Sequence, residues 1–178
     1  LSREEINYTS QELYQAGANV KKKYSSAEYH NLDIYQINTT FYSALGDDDQ
    51  KYFMARLLQV FAPGIPQVYY VGMLAGKNDL ELLEKTKEGR NINRHYYSRQ
   101  EVAEEVKRPV VSSLLKLFTF RNTEPAFDLD GSIEISTPNE NEIQIIRKNK
   151  EQTSQAELKA NLKDLTYQVV VNGKEVKF

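Results

Sequence analysis

The chain has 178 residues, 40% of them hydrophobic, which is enough to bury a core and to form one or two compact units. Acidic and basic residues are interspersed and the net charge is −2, so the sequence offers no strongly basic surface for a nucleic acid. It contains no cysteine, and no apolar run approaches the ~20 residues of a membrane span. Disulfides, thiolate metal sites and a bilayer-spanning helix are therefore excluded.

The first residue is Leu1, and the polar residues that follow it do not resemble a signal peptide. We therefore expect the chain to begin inside a longer protein, which is called the parent below. A cytoplasmic location is the default expectation for such a sequence.

Residues 1–46 have the pattern of short helices followed by a loop. Ser2 with Glu5, and Thr9 with Glu12, have the spacing of a capping box, in which two side chains satisfy free amides at a helix start. Residues 18–46 are rich in Tyr, Asn and Ser and are interrupted by one short apolar run.

A longer helix is predicted to begin at residues 47–49, because three aspartates there complement the positive end of the helix dipole. Its apolar residues recur at helical spacing and are Phe53, Leu57, Val60 and Phe61. The helix must end before Pro63 and Gly64.

Residues 67–71 are β-branched and aromatic and lie between Pro66 and Gly72. A short run that is apolar on both faces predicts a strand buried within a parallel sheet. Beyond it, capping-box spacing at Asn78 and again at Ser98 predicts two short helices. A longer helix is predicted to start at Pro109, since proline suits the first turn.

Past residue 125 the hydrophobic period changes from helical to two, which predicts an antiparallel sheet of four or five strands with one wet face. Asn172 and Gly173 predict a tight hairpin near the end, because both residues tolerate positive φ. The fold class indicated by the whole pattern is α/β with a β tail.

Several catalytic and metal-binding motifs are missing. Neither His30 nor His95 has a second histidine at the spacing of a zinc site. Residues 72–78 resemble a phosphate-binding loop only faintly, with one residue too few between the glycines. The sequence also lacks a serine nucleophile elbow, and no pair of carboxylates stands out by spacing.

Two loops have the composition of a sugar-binding site. Residues 89–97 place Arg90 and Arg94 among amides and aromatic rings, and a guanidinium suits bidentate hydrogen bonds to neighbouring hydroxyls or to an anion. Residues 31–38 combine the carboxylate of Asp33 with an aromatic ring and an amide at Tyr35 and Gln36. Composition alone leaves an ordinary solvated surface loop open for both segments.

Five segments carry a resemblance to a known family. Residues 64–72 resemble the Gly-(Ile/Val)-Pro-x-x-Tyr-Tyr-Gly motif of the eighth barrel strand in the α-amylase superfamily, with a valine inserted before the last glycine. Residues 31–38, 41–46, 75–79 and 89–97 resemble sucrose phosphorylases of glycoside hydrolase family 13, in order and with the same spacing. The resemblance is strong over residues 1–125 and loose in the tail.

The resemblance implies the C-terminal portion of a (β/α)₈ TIM barrel followed by a small antiparallel β domain. Residues 1–124 would supply the loop after strand seven, helix seven, strand eight at residues 68–71, and helix eight. Residues 125–178 would form the β domain. The implied enzyme is a glycosyltransferase that converts sucrose and inorganic phosphate reversibly into α-D-glucose 1-phosphate and D-fructose by retaining double displacement.

The resemblance also assigns roles to residues. Arg90 matches the arginine that holds the glucose hydroxyls, and Asp33, Ile34, Tyr35 and Gln36 match a mobile loop that serves fructose in one position and phosphate in another. The family's nucleophile and acid/base lie upstream of Leu1, so no catalytic residue is assigned within this chain. No metal or cofactor is implied, and a homodimer of the parent is left open.

Two alternatives accompany this interpretation. One is a phosphorylase of the same subfamily for sucrose 6′-phosphate or a glucosyl acid, although the loop at Asp33 carries no basic residue for a second phosphate. The other is a non-catalytic carbohydrate-binding or interaction module. Tyr167 and Phe178 are the only aromatic residues after Phe127, which argues against a row of exposed rings for a glycan.

Overall fold

The computed structural model describes residues 2–20 and 37–178, with the backbone alone at Asn19 and Val20. The chain forms two compact units, each made of two sequence segments. The first unit comprises the described residues up to Asp49 together with Tyr69–Glu105. The second comprises Gln50–Val68 together with Val106–Phe178.

The first unit contains short helices and one small strand pair. Its elements are α1 (Arg3–Gln15), β1 (Asn19–Val20), β2 (Ile37–Asn38), α2 (Phe41–Ala44), α4 (Tyr70–Met73), α5 (Leu80–Thr86), a 3-10 helix (Gly89–Asn93) and α6 (Arg99–Glu105). Strand β1 pairs antiparallel with β2. The capping boxes predicted at Ser2 and at Ser98 are confirmed, whereas Thr9 lies inside α1 rather than at a second helix start.

The strand predicted at residues 68–71 is not present. Residues 65–69 belong to no regular element, and α4 begins at Tyr70. A strand exists only where a neighbour accepts its hydrogen bonds, and in the described part of the chain each strand pairs within a sheet that does not include these residues. Val71 is buried, as the prediction required, but Tyr69 is 54% exposed.

The second unit packs two helices with a five-stranded antiparallel sheet. Its helices are α3, which begins at the unit boundary (Asp49–Phe61), α7 (Pro109–Thr123) and a 3-10 turn (Pro125–Phe127). Its strands are β3 (Ser132–Asn139), β4 (Glu142–Lys148), β5 (Gln155–Asn161), β6 (Thr166–Val171) and β7 (Lys174–Val176), paired in sequence order. Five antiparallel strands confirm the predicted tail.

The hairpin and helix-start predictions in this unit are also confirmed. Asn172 and Gly173 have φ of 49° and 81° and join β6 to β7, as a two-residue hairpin turn requires. Pro109 is the first residue of α7. Helix α3 begins at Asp49, and Asp47 precedes it with a φ of 56°.

The core of the second unit contains residues of α3, α7 and the sheet. Leu57, Phe61, Leu114 and Leu158 are all fully buried. Arg147 of β4 donates from Nη1 to the Ala62 carbonyl oxygen at 3.0 Å, which satisfies a free carbonyl at the end of α3. None of the helices in the described ranges is long and apolar enough to cross a bilayer.

Candidate functional site

Arg90 lies on the 3-10 helix Gly89–Asn93, whose other residues anchor it. Ile92 is fully buried and Gly89 is buried, whereas Arg90 is exposed. Among the residues that the structure describes, none forms a hydrogen bond or an ion pair with the Arg90 guanidinium. Within the described ranges the segment therefore presents an exposed arginine, whose guanidinium carries five donors.

Three hydrogen bonds hold the 3-10 helix Gly89–Asn93, called the Arg90 segment, in place. The Asp79 amide donates to the Ile92 carbonyl oxygen at 2.7 Å. Asn91 Nδ2 donates to Thr86 Oγ1 at 2.9 Å, and Asn93 Nδ2 donates to the Thr39 carbonyl oxygen at 3.3 Å. A ligand that binds Arg90 therefore meets a segment with a defined position.

His95 lies between two carboxylates that cap neighbouring helices. Its Nδ1 is 2.6 Å from Asp79 Oδ2 and its Nε2 is 3.2 Å from Glu101 Oε1. Asp79 also accepts the Leu82 amide at the start of α5, and Glu101 accepts the Ser98 amide at the start of α6. A protonated His95 donates to both carboxylates and thus joins the two helix starts.

The pKa values of His95, Asp79 and Glu101, called the His95 cluster, are all shifted in the direction that favours their charged forms. The hydrogen bond with Asp79 raises the pKa of His95, partial burial opposes the rise, and Glu101 adds to it. Burial alone would raise the pKa of Asp79, but the Leu82 amide and His95 lower it overall. The Ser98 amide and then its hydroxyl lower the pKa of Glu101, with a contribution from His95. The cluster is an ion-paired bridge when His95 is protonated.

We expect the stability that His95 provides to depend on pH. Because its pKa is higher in the folded protein than the ordinary 6.5, the contribution is complete below that value and is lost as the pH rises through the folded-state pKa. The difference in melting temperature between the parent and its His95→Gln variant should therefore be largest in mild acid and shrink in mild alkali. Melting curves recorded across this range test it, and a difference that stays constant with pH contradicts it.

Four tyrosines line an open cleft of about 650 Å³ in the first unit. The lining residues are Tyr69, Tyr70, Met73, Leu74, Arg94, Tyr96, Tyr97 and Val102. Tyr70 donates its hydroxyl to the His95 carbonyl oxygen at 2.8 Å, and the His95 and Tyr97 rings meet edge to face at 4.5 Å. Burial and the neighbouring tyrosine hydroxyls raise the pKa of Tyr70 to about 12, so Tyr70 stays neutral and donates.

The two arginines of residues 89–97 lie in different settings. Arg94 lines the tyrosine cleft, whereas Arg90 is not among the lining residues. Asp33, Ile34, Tyr35 and Gln36 lie outside the described residues. Their assignment to the fructose and phosphate loop, and their proximity to Arg90, therefore stay predictions. The described chain resumes immediately after them at Ile37.

Sequence reasoning missed two residues that organise this unit, Asn78 and Asp79. It assigned the helix cap to Asn78, but the side chain that caps α5 is that of Asp79. Asn and Asp are about equally good N-caps, so the adjacent pair gave no signal for choosing between them. Because Asp79 caps the helix, the side-chain amide of Asn78 is available for contacts elsewhere in the chain.

Comparisons with known proteins give a consistent result. No family model matches the chain. A sucrose phosphorylase of Streptococcus mutans is 69% identical over all 178 residues, which are 37% of that protein. A sucrose phosphorylase of Bifidobacterium adolescentis is 54% identical over 134 residues, which are 75% of this chain and 26% of that protein.

A solved structure also matches over the whole chain. It is the crystal structure of sucrose 6F-phosphate phosphorylase from Thermoanaerobacter thermosaccharolyticum, with a TM-score of 0.87 and 42% sequence identity. The match covers 100% of this chain and 35% of that structure. This chain thus spans about a third of the length of such proteins.

The fold and the solved structure place the chain in the class of glycoside phosphorylases, as a C-terminal part with helices followed by an antiparallel sheet. Within that class the chain is 69% identical along its whole length to a sucrose phosphorylase. The chain belongs to the sucrose phosphorylase family and corresponds to a C-terminal part of its members.

Proposed function

We propose that the parent of this chain is a sucrose phosphorylase, which converts sucrose and inorganic phosphate reversibly into α-D-glucose 1-phosphate and D-fructose. The observation that carries the proposal is the 69% identity to the Streptococcus mutans sucrose phosphorylase over all 178 residues. The activity belongs to the parent, because the catalytic carboxylates of this family are expected upstream of Leu1.

The proposed reaction is a retaining double displacement. An upstream carboxylate attacks the anomeric carbon of the glucosyl unit while its bond to fructose breaks, and an upstream carboxylic acid gives its proton to the departing oxygen. Phosphate then attacks the same carbon, the carboxylate leaves, and the proton of the attacking phosphate oxygen returns to the acid/base. Glucose 1-phosphate is released with its original configuration.

In this reaction Arg90 is proposed to hold the hydroxyls of the glucosyl unit. Its exposure and its anchored segment support the role. Asp33 is proposed to accept hydrogen bonds from fructose, although its charge would repel phosphate. Movement of Asp33 out of the site, with Tyr35 moving in, would remove that conflict, and Ile34 and Gln36 would move with the loop.

We propose the same domain layout as the family, with residues 1–124 in the catalytic (β/α)₈ barrel and residues 125–178 in a C-terminal β domain. The end of α7 at Thr123 and the start of β3 at Ser132 support a boundary in this region. The stretch at residues 68–71 would become strand eight only when strands of the rest of the barrel pair with it. A cytoplasmic location and a homodimer of the parent stay predictions.

Sucrose 6F-phosphate is the second candidate substrate, because the solved structure with a TM-score of 0.87 has that specificity in its name. The sequence of the loop at Asp33, which lacks a basic residue, favours unphosphorylated sucrose. We therefore expect the parent to release glucose 1-phosphate faster from sucrose than from sucrose 6F-phosphate, at equal concentrations of sugar and phosphate. A preference for the phosphorylated sugar would assign the parent to the other branch.

A non-catalytic carbohydrate-binding module is the less favoured class. The rings of Tyr167 and Phe178 lie 5.5 Å and 6.2 Å from the ring of Phe53 on α3. They pack on a helix rather than forming a row on the surface, so the sheet lacks the aromatic platform that stacks on glycans.

A further inference from the structure

The hydrogen bonds of Asn78 connect three segments of the first unit. Its side-chain Oδ1 accepts the Thr40 amide at 2.7 Å, and the Thr39 hydroxyl lies 3.2 Å from the same oxygen. Its Nδ2 donates to the Gly17 carbonyl oxygen at 3.2 Å. Its main-chain amide donates to Ser43 Oγ at 3.0 Å. One partly buried amide side chain therefore satisfies polar groups that are distant in sequence.

The segment that Asn78 holds is the continuation of the proposed fructose and phosphate loop. Only Ile37 and Asn38 separate residues 33–36 from Thr39. Thr40 is buried and caps α2 by accepting the Ser43 amide at 3.0 Å. Removal of the Asn78 oxygen would leave the buried Thr40 amide without that partner, which is unfavourable enough to loosen the segment.

The Arg90 segment is attached to the same place. The residue after Asn78, Asp79, donates its amide to the Ile92 carbonyl oxygen at 2.7 Å. Asn93 donates to the carbonyl oxygen of Thr39, one of the residues that the Asn78 side chain contacts. The exit of the loop and the segment carrying Arg90 are therefore both fixed to residues 78 and 79.

We propose that Asn78 is a positioning residue, which sets the exit of the fructose and phosphate loop against the segment that carries Arg90. This inference rests on the proposed function, since it assumes that residues 33–36 and Arg90 bind the two sides of the scissile bond. Asn78 touches no reacting atom. It acts through Thr39 and Thr40, so its loss affects the acceptor side of the site more than the glucosyl side.

The first test is a comparison of Asn78→Leu and Asn78→Asp in the full-length parent. Leucine has a similar size and no hydrogen bonds, whereas aspartate keeps the oxygen that accepts the Thr40 amide. With Asn78→Leu we expect KM for phosphate, and KM for fructose in the reverse reaction, to rise at least about tenfold, the equivalent of one or two hydrogen bonds. With Asn78→Asp both constants should stay nearer the wild-type values.

A second substrate separates positioning from a general structural defect. Hydrolysis of α-D-glucosyl fluoride needs the glucosyl site but neither fructose nor phosphate, so its rate should change by less than about twofold in both variants. Lys77→Ala is the matched control at the neighbouring position, because the ion pair of Lys77 with Asp47 is exposed and contributes little. Equal loss on all substrates, or unchanged KM values in Asn78→Leu, overturns the proposal.

Hydrogen exchange distinguishes failure of this inference from failure of the proposed function. Asn78→Leu should speed exchange in a peptide containing Thr40 and Ser43, and Asn78→Asp should largely restore protection. If the wild-type parent does not cleave sucrose, the proposed function is refuted. Exchange that is unchanged by Asn78→Leu refutes the positioning role of Asn78, whatever the parent's substrate.

Discussion

Replacing Arg90 by alanine in the parent is expected to lower kcat/KM for sucrose at least about 100-fold, the cost of one bidentate, charge-assisted contact that is strongest in the transition state. The structure supports a ligand role for this residue in two ways. Arg90 is exposed, and its guanidinium forms no hydrogen bond or ion pair with the other described residues. The helix that carries it is fixed by the buried Ile92.

The Arg90→Lys variant tests whether the shape of the side chain matters. Lysine keeps the positive charge but loses the planar fork that reaches two hydroxyls together, so we expect it to restore little of the lost activity. Steady-state kinetics on sucrose, with glucose 1-phosphate as the measured product, give the comparison.

Arg99→Ala is a matched control for the loss of an exposed arginine, because Arg99 is the first residue of α6 and is also exposed. Its kinetics should equal those of the wild type. The melting temperature of the Arg90→Ala variant should also stay close to that of the wild type, since no described hydrogen bond or ion pair is lost. Unchanged sucrose kinetics in Arg90→Ala would remove this residue from the proposed site.

Local sequence signals predicted the parts of the fold that local interactions determine. The capping box at Ser2 and the Asn172–Gly173 turn involve residues at most three positions apart, and both are present. The two-residue period of the tail predicted antiparallel strands, and each of these strands hydrogen-bonds to the strand that precedes or follows it in the chain. Prediction from sequence succeeded at these positions, where the partner of each residue lies nearby in the chain, but it failed for the local capping boxes predicted at Thr9 and Asn78.

The strand predicted at residues 68–71 shows where this reasoning fails. Its composition is that of a buried strand, but composition does not supply the neighbouring strands that a parallel sheet requires. In the described chain these residues contribute to no sheet, and Tyr70 begins a helical turn. We propose that the conformation of this stretch depends on residues far away in the sequence.

For the candidate site, the sequence identified one exposed residue, and the roles that it predicted stay predictions. Composition selected the loop that contains Arg90, and the structure places this arginine at the surface. The bond between Asn78 and Thr40 spans 38 positions, and no spacing rule connects residues so far apart. The hydrogen bond between Asn78 and Thr40 could therefore be found only from the folded chain.

The isolated 178-residue chain is expected to have no phosphorolysis activity. It is proposed to lack the nucleophile and the acid/base, and a contact to the glucosyl unit alone cannot replace two groups that act as one catalytic system. It also exposes large apolar side chains that favour self-association, among them Ile65 at 72% and Tyr96 at 74% exposure. Release of glucose 1-phosphate from sucrose by the purified chain should equal the background without enzyme.

Mixing the isolated chain with the upstream part of the parent shows whether missing residues cause its inactivity. If the chain retains its fold, the upstream part should restore some phosphorolysis, and the same mixture made with the Arg90→Ala chain should restore much less. Activity of the chain alone that disappears in its Arg90→Ala variant would exclude a contaminant. That result would place the complete catalytic machinery within residues 1–178 and would overturn the assignment of the carboxylates to the upstream part.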